Sequence, residues 1–327
     1  MQCLVNGARG FVGRGLLRSL AAAGHTGTAT GRSGLPDLPA GWLGGVREAV
    51  LAGQTLPNPL PDVIIHLEVR QDEGFRGVSP GDEMMKINVD LTRQWLDWAA
   101  RQGVRRFVFL SSIMAVSPGP GKRFEDALPE TSDTYGGSKA RAEALVREWA
   151  LGDAHRIAVI LRPAPVYGPD EGTNLEAFVR RVIAGRPSLL GAGLTLRSVV
   201  SRANLGAAVA FCLARAELGC TVYNVTDAVP LSSAELAATV ASVAAAPRPR
   251  SVPMWLARLF APVGDAVSAV LGRGLPISSA RLREATTPTD FPCERLLRAG
   301  FVHPQSTREG LEELVAWVRK QPPTGRR

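Results

Sequence analysis

The sequence predicts an α/β fold built on a doubly wound parallel sheet, with a smaller C-terminal substrate-binding domain. Three observations predict it. Short apolar runs alternate with amphipathic helical stretches through the first half of the chain. The first run is followed at once by three glycines at a spacing of three, which open a helix. A Tyr-x-x-x-Lys pair then falls at the start of a later helix, between two further apolar runs.

Taken in order, Gln2–Asn6 reads as the first strand and Phe11 to about Ala23 as a helix that Gly24 ends. Thr26–Thr30 is the second strand. Residues 31–61 are rich in Gly and Pro, and only weak structure is expected there. Val63–Leu67 reads as a buried strand, 82–102 as a long helix closed by Gly103, and Arg106–Ser111 as the next strand. A Pro/Gly-rich loop runs to Thr134, followed by a helix over Tyr135–Leu151 and a strand over Arg156–Leu161. After Pro163 the rhythm loosens: a helix at Leu175–Ala184, a strand near Leu196–Val200, a helix at Leu205–Ala216, a strand at Thr221–Asn224 and an Ala-rich helix from Ser233. Pro247–Pro253 reads as a connector. The expected division is a dinucleotide-binding domain over residues 1–165, with a return segment near 203–226. Residues 166–327 then form mainly a substrate-binding domain, with a disordered tail from about 321.

Composition narrows the function classes. The chain has 327 residues, 45% hydrophobic and 21% charged, which is ordinary for a soluble globular protein. The formal charge of +8 is compatible with an anionic ligand such as a nucleotide, a nucleic acid or a membrane surface, but an Arg-rich background composition is the favoured explanation. No run of Lys and Arg with interleaved aromatics appears, so no nucleic-acid partner is expected. Cys3, Cys212, Cys220 and Cys293 form no Cys-x-x-Cys pair and have no nearby histidine cluster, so neither a disulfide framework nor a metal site is expected, and a reducing cytoplasm is the simplest compartment. The first residues do not read as a signal peptide, since Asn6, Gly7, Arg9 and Gly10 break the apolar run. The most membrane-like stretch, Val252–Leu271, carries Arg258, Pro262 and Asp265, too much polarity for a span. A helix lying on a membrane surface is the alternative, but a helical pair packed on its own domain is the expectation, with no membrane partner.

The turn Gly7-Ala8-Arg9-Gly10-Phe11-Val12-Gly13 carries the first piece of chemistry. The first glycine permits a tight turn, the second lets backbone approach a pyrophosphate, and the third lets helix and strand pack closely. The helix N-terminus at Phe11 and Val12 offers N–H groups and a positive dipole end to the phosphates. This is the fingerprint of a Rossmann-type fold. The end of strand two, Thr30-Gly31-Arg32-Ser33, lacks the carboxylate that grips a ribose 2′-hydroxyl. Arg32, with Arg9 beside the second glycine, suits a 2′-phosphate, so NADP(H) is expected over NAD(H).

Tyr135 and Lys139 stand four apart at the start of a helix, so phenol and ammonium share one face. A free phenol titrates near ~10 and is a poor base at neutral pH, and a neighbouring cation lowers that value. Alcohol oxidation or ketone reduction needs such a relay beside a hydride carrier. Gly136 and Gly137 are poor helix residues that permit close approach of a cofactor or substrate.

With these motifs the chain resembles an extended short-chain dehydrogenase/reductase of the NAD-dependent epimerase/dehydratase group that acts on nucleotide-sugars. The match covers nearly the whole length and is close over Lys86–Ser112, Tyr135–Pro169 and near Arg197–Leu205. The resemblance implies that Ser112 hydrogen-bonds the reacting oxygen, that Asn88 braces the active-site backbone, and that Leu67 and Pro163 lie beside the cofactor. It further implies that Asn174 and Arg197 contact the substrate diphosphate, and that a homodimer forms through the helices at 82–102 and 135–151. Three departures stand out: Glu68 where small alanines are usual, no Asp-Leu contact to adenine, and Ala203 in place of an aspartate. Ile113-Met114 replaces the Asp-Glu pair of 4,6-dehydratases, so elimination is not expected. A nucleotide-sugar 4-ketoreductase or 4-epimerase is the expectation. The alternatives are a reductase of a non-sugar ketone, of steroid or flavonoid type, and a non-catalytic NAD(P)-binding regulatory protein on the same core. The intact Ser112, Tyr135 and Lys139 set argues against the last.

Overall fold

In Val63-Ile64-Ile65-His66 every residue is buried, which a strand tolerates only when both its faces are covered. In the computed structural model this segment (β4) lies near the middle of a seven-stranded sheet. The structure describes the chain apart from residues 34, 36, 72–83, 118, 133–134, 171–173, 216, 272–277 and 322–327. The other strands of the sheet are β1 (Gln2–Asn6), β2 (Thr26–Gly31), β3 (Trp42–Val46), β5 (Arg106–Leu110), β6 (Ile157–Pro163) and Gly219–Val225. Their order is β3, β2, β1, β4, β5, β6, then Gly219–Val225, and every pairing is parallel. The chain reverses direction across the sheet between β1 and β4, so a crevice opens at the carboxyl ends of those two strands.

Helices cover both faces. One apolar layer packs Leu16, Leu17 and Leu20 of α1 (Phe11–Ala22) with Leu205, Val209 and Leu213 of the helix Arg202–Leu213. The opposite layer packs Trp95 and Trp98 of α3 (Leu91–Gln102) with Val146 and Trp149 of the helix Tyr135–Leu151. A third apolar cluster, with Val179, Leu236, Leu311 and Leu314, joins Asn174–Ile183, Ser233–Val243 and Thr307–Lys320.

Five expectations are corrected. The stretch 31–61 holds β3 and a short helix, α2 (Arg47–Leu51). This edge strand carries Gly44 and Gly45 and no apolar run, so only its pairing with β2 reveals it. The helix expected over 82–102 is interrupted: residues 82–83 lie outside the described residues, and Lys86–Asp90 forms a π-helical turn before Leu91–Gln102, which Gly103 ends at φ 71. The expected strand near 196–200 is two short ones, Leu196–Arg197 and Val200–Ser201, with different partners. The connector at 247–253 contains a strand, Arg250–Val252, paired with Pro187–Leu190, and the expected helical pair over 252–271 is one helix, Met254–Leu271, with Pro262 inside it. The expected tail falls on residues 322–327, outside the described ones.

Candidate active site

The glycine turn forms because no other residue fits it. Gly7 has φ +81, and a Cβ there would lie 2.7 Å from the Glu68 nitrogen. A Cβ on Gly13 would lie 2.5 Å from the Gly7 carbonyl oxygen, so α1 packs against its own strand only without a side chain. At Gly10 a Cβ would meet nothing nearer than the Gly7 oxygen at 3.5 Å, so its bareness serves something other than the fold. No side chain caps α1, and no acidic residue stands in its first turn, which leaves the N–H groups of Phe11 and Val12 without a capping side chain. This cradle fits a pyrophosphate. The Gly7 and Ala8 N–H groups donate to the Thr30 carbonyl at 3.1 and 3.3 Å, tying the turn to the end of β2. There Arg9 donates to the Ser33 hydroxyl at 2.5 Å, and both Arg9 and Arg32 are exposed.

At the carboxyl end of β5 stands Ser112, buried, its hydroxyl oxygen accepting from the Met114 N–H at 3.1 Å. The Tyr135 side chain hydrogen-bonds with those of Ser112 and Gln71. Burial pushes its phenol above the ordinary value, and these two hydrogen bonds pull the other way. One turn along the helix Tyr135–Leu151 (α4), Lys139 is buried. Its Nζ donates to the Leu110 carbonyl at 2.8 Å and lies 4.7 Å from the centre of the Phe109 ring. Burial pulls its pKa down to about 7, against the attraction of Glu143.

A buried polar frame holds this cluster. Asn88, on the π-helical turn, accepts from the Arg70 N–H at 2.8 Å and donates to the Arg70 carbonyl and the Ser138 hydroxyl, each at 2.9 Å. Ser138 in turn donates to the Tyr135 carbonyl at 2.7 Å, so Asn88 fastens the loop after β4 to the first turn of α4. The His66 ring faces Asn6 Oδ1 at 2.7 Å and Thr92 Oγ1 at 3.1 Å and stacks on Phe109. Burial, with the charges of Lys139 and Arg47, pushes it down to about 3. Glu143 takes both Arg162 Nε and Nη2 at 2.8 Å and the Ser111 hydroxyl at 2.6 Å. Burial opposes its ionisation, but Arg162, Ser111 and Arg147 outweigh it and hold the carboxyl below the usual range.

Residues 3–226 match the NAD dependent epimerase/dehydratase family. The chain belongs to that family. It is an NAD(P)-dependent enzyme of the extended short-chain dehydrogenase type. It is 26% identical to N-acetyl-alpha-D-glucosaminyl-diphospho-ditrans,octacis-undecaprenol 4-epimerase of Escherichia coli O157:H7, over 96% of this chain and 94% of that protein. It is 28% identical to UDP-glucose 4-epimerase of Vibrio cholerae, over 95% and 93%. The solved structure of MoeE5 in complex with UDP-glucose and NAD shares the fold at a TM-score of 0.74 and 23% identity, covering 98% of this chain and 99% of that one.

As a member of the epimerase/dehydratase family the protein brings Ser112, Tyr135 and Lys139 together at the crevice that the glycine turn enters. Leu67 is buried beside that turn, its N–H donating to the Asn6 carbonyl at 3.0 Å. Pro163 ends β6, paired with Val225. Phe11 lies under the Arg202 guanidinium, 4.8 Å from its ring centre. The two residues expected at a substrate diphosphate are less directly placed. Asn174 begins the helix Asn174–Ile183, and its side chain lies outside the described part of the molecule. Arg197 donates to the carbonyls of Thr287 and Glu284, each at 3.2 Å, and of Ala285. Gln71, His66 and the Glu143–Arg162 pair are polar residues at the site that sequence reasoning did not single out. For His66 and the Glu143–Arg162 pair the one signal is an ionisable residue inside an apolar strand or on the buried side of a helix, whereas Gln71 lies in the exposed loop after β4 and carries none. Glu68, noted as a departure, accepts from Asn6 Nδ2 at 3.1 Å and pairs with Arg47 of α2. Asp227 binds the Asn204 side chain at 2.7 Å and the Ser201 N–H at 3.0 Å, pinning the helix start where Ala203 replaces an aspartate.

Proposed function

We propose that the protein is an NADP(H)-using oxidoreductase acting on a hydroxyl or keto group of a nucleotide-sugar, as a 4-ketoreductase or 4-epimerase, with Tyr135 as proton relay. The observation that carries this reading is the Tyr135 phenol hydrogen-bonded to Ser112, one helical turn from the buried Lys139. A bound nicotinamide supplies the hydride chemistry. Ser112 orients the reacting oxygen, and Tyr135 passes a proton to or from it. The protonated form of Lys139, one turn away, favours the phenolate and so works with Ser112 against the burial that raises the phenol. Gly7, Gly10 and Gly13 bind the pyrophosphate with Phe11 and Val12, Leu67 and Pro163 flank the dinucleotide, and Asn88 holds the site rigid. Residues 1–165 with 203–226 serve the cofactor, and the rest mainly serves the substrate.

The two 4-epimerase relatives are named for sugars joined to a diphosphate, of uridine in one and of undecaprenol in the other. Arg197 and Asn174 are the residues we assign to that diphosphate here, with Arg197 exchanging its carbonyl partners for phosphate oxygens. Incubation of a panel of UDP-4-keto-sugars with NADPH, and of UDP-sugars with NADP⁺, tests the activity. Net NADPH oxidation identifies the ketoreductase, sugar interconversion without net oxidation identifies the epimerase, and neither outcome with any substrate contradicts the reading.

The engagement of Arg197 with backbone carbonyls favours a second reading, reduction of a non-sugar ketone. If Arg197 holds a diphosphate, Arg197→Ala raises KM for the nucleotide-sugar more than it lowers kcat. An unchanged KM turns the assignment to uncharged substrates. For cofactor choice, a guanidinium bonded to a 2′-phosphate predicts at least about tenfold tighter binding of NADPH than NADH, since ~1.4 kcal/mol suffices. Titration calorimetry of both cofactors into the parent and Arg32→Ala checks it, and equal affinities in the parent return NAD to first place. We place the enzyme in a reducing cytoplasm as a homodimer paired through the helices around 84–102 and 135–151.

A further inference from the structure

The helix Met254–Leu271 is inverted relative to an ordinary amphipathic helix. Its small residues Ala257, Ala261 and Gly264 are buried, whereas Trp255 is 67% exposed, Leu259 61%, Phe260 48%, Val263 56% and Val267 39%. At 3.6 residues per turn those five large side chains fill a single arc of about 140°. A monomeric protein rarely leaves such a contiguous apolar face to water. The face is flanked by cations. Arg258 stands on the helix's polar side, and Arg248 and Arg250 precede it, all three exposed. The one carboxylate on the helix, Asp265, accepts from the Ser279 N–H at 3.0 Å and so is tied to the next helix, Ser279–Thr286.

Bulky apolar side chains including Trp, with arginines beside them, have the chemistry of a helix lying in the plane of an anionic lipid surface. No helix among the described residues is long and apolar enough to cross a membrane, so this chemistry suits a surface and not a span. A second copy of this helix offers those arginines no complementary carboxylate, since its one acid, Asp265, is tied to Ser279, which opposes that occupant. The helix is also close to the assigned substrate region. Arg197 donates to carbonyls at the end of Ser279–Thr286, the helix that Asp265 holds. One short helix thus joins the two, held at its start by Asp265 of Met254–Leu271 and at its end by the guanidinium assigned to a diphosphate.

We propose that the outer face of Met254–Leu271 docks the protein on an anionic membrane surface, where the site works on a sugar diphosphate whose carrier is a bilayer lipid. The choice of substrate rests on the oxidoreductase reading above, and the docking does not. The test is partition of the full chain onto vesicles of phosphatidylglycerol and phosphatidylcholine, followed by sedimentation, for the parent and Leu259→Asp/Val263→Asp. Both positions are exposed, so the variant keeps its core, and NADPH titration confirms that it is folded. The parent is expected on the anionic vesicles, with binding weakened by salt, and the variant at least about tenfold less bound. Absence of the parent from the vesicles, or equal partition of the variant, overturns the docking. So does a lipid-free dimer of the parent that the variant abolishes, which assigns the face to a second copy.

For the substrate, the parent and the variant are compared on undecaprenyl-diphosphate N-acetylglucosamine held in the same vesicles and on UDP-N-acetylglucosamine in solution. The variant is expected to lose turnover of the lipid-held sugar alone. Equal turnover of that sugar by both proteins, or by neither, overturns the lipid-carried substrate. A parent that binds no NADPH overturns the oxidoreductase reading, while vesicle partition still reads the docking face by itself.

Discussion

Arg162 and Glu143 carry the largest structural stake of any single pair at the site. Their side chains are 2% and 0% exposed, and the pair ties β6 to α4 behind Lys139. Removing Arg162 leaves the buried Glu143 carboxylate with the part-exposed Arg147 as its remaining ionic partner, so Arg162→Met is expected to cost ~3 kcal/mol. The double variant Glu143→Gln/Arg162→Met removes both charges and is expected to recover part of that loss. Urea unfolding of the three proteins checks this, and a single variant within about 1 kcal/mol of the parent contradicts it. The pair was not legible in the sequence. Glu143 reads as one more charge on a helix, and only the packing of α4 on β6 brings Arg162 to it. Tyr135 and Lys139 were legible because a local spacing fixes them, and Ser112 only through the family resemblance. Arg197 was legible as a candidate, but its carbonyl partners on a distant helix were not.

Among the elements, the glycine turn makes the sharpest contrast between fold and binding. Gly13→Ala forces a Cβ to 2.5 Å from the Gly7 oxygen and must shift α1, so both stability and dinucleotide affinity are expected to fall. Gly10→Ala meets no such obstacle in the protein itself. It is expected to leave the melting temperature within a few degrees of the parent and to weaken NADPH binding by about tenfold or more, since the methyl group stands where a pyrophosphate must approach. Thermal melts and cofactor titration on both variants check this. Unchanged NADPH affinity in Gly10→Ala contradicts the cradle. Strands with apolar runs, such as β4 and β5, could be read directly, because burial on both faces leaves a compositional mark. The edge strand β3 could not, since Gly44 and Gly45 erase that mark and its partner is supplied by tertiary pairing. The helix Met254–Leu271 was misread as a packed pair because periodicity reports an apolar face without saying what it faces.

At the scale of the whole molecule, the site shapes stability as well as chemistry. His66 titrates at about 3 in the fold against an ordinary 6.5, so between those values the unfolded chain binds more protons. Its contribution is therefore intact above pH 6.5 and lost as pH falls toward 3. At about 1.4 kcal/mol per unit, acidification from pH 7 to 4.5 is expected to remove ~2–3 kcal/mol through this residue. His66→Asn is expected to flatten that slope in urea unfolding, and an identical slope contradicts the buried neutral imidazole. The seven-stranded sheet, the glycine turn and the buried frame converge on one crevice, and the claim that depends on all three is proton relay by Tyr135. Its most direct test is Tyr135→Phe, which keeps the ring and removes the one hydroxyl. The account predicts a fall in kcat of ~10²–10⁴ with NADPH affinity unchanged. Turnover close to that of the parent, with the same affinity, would contradict it.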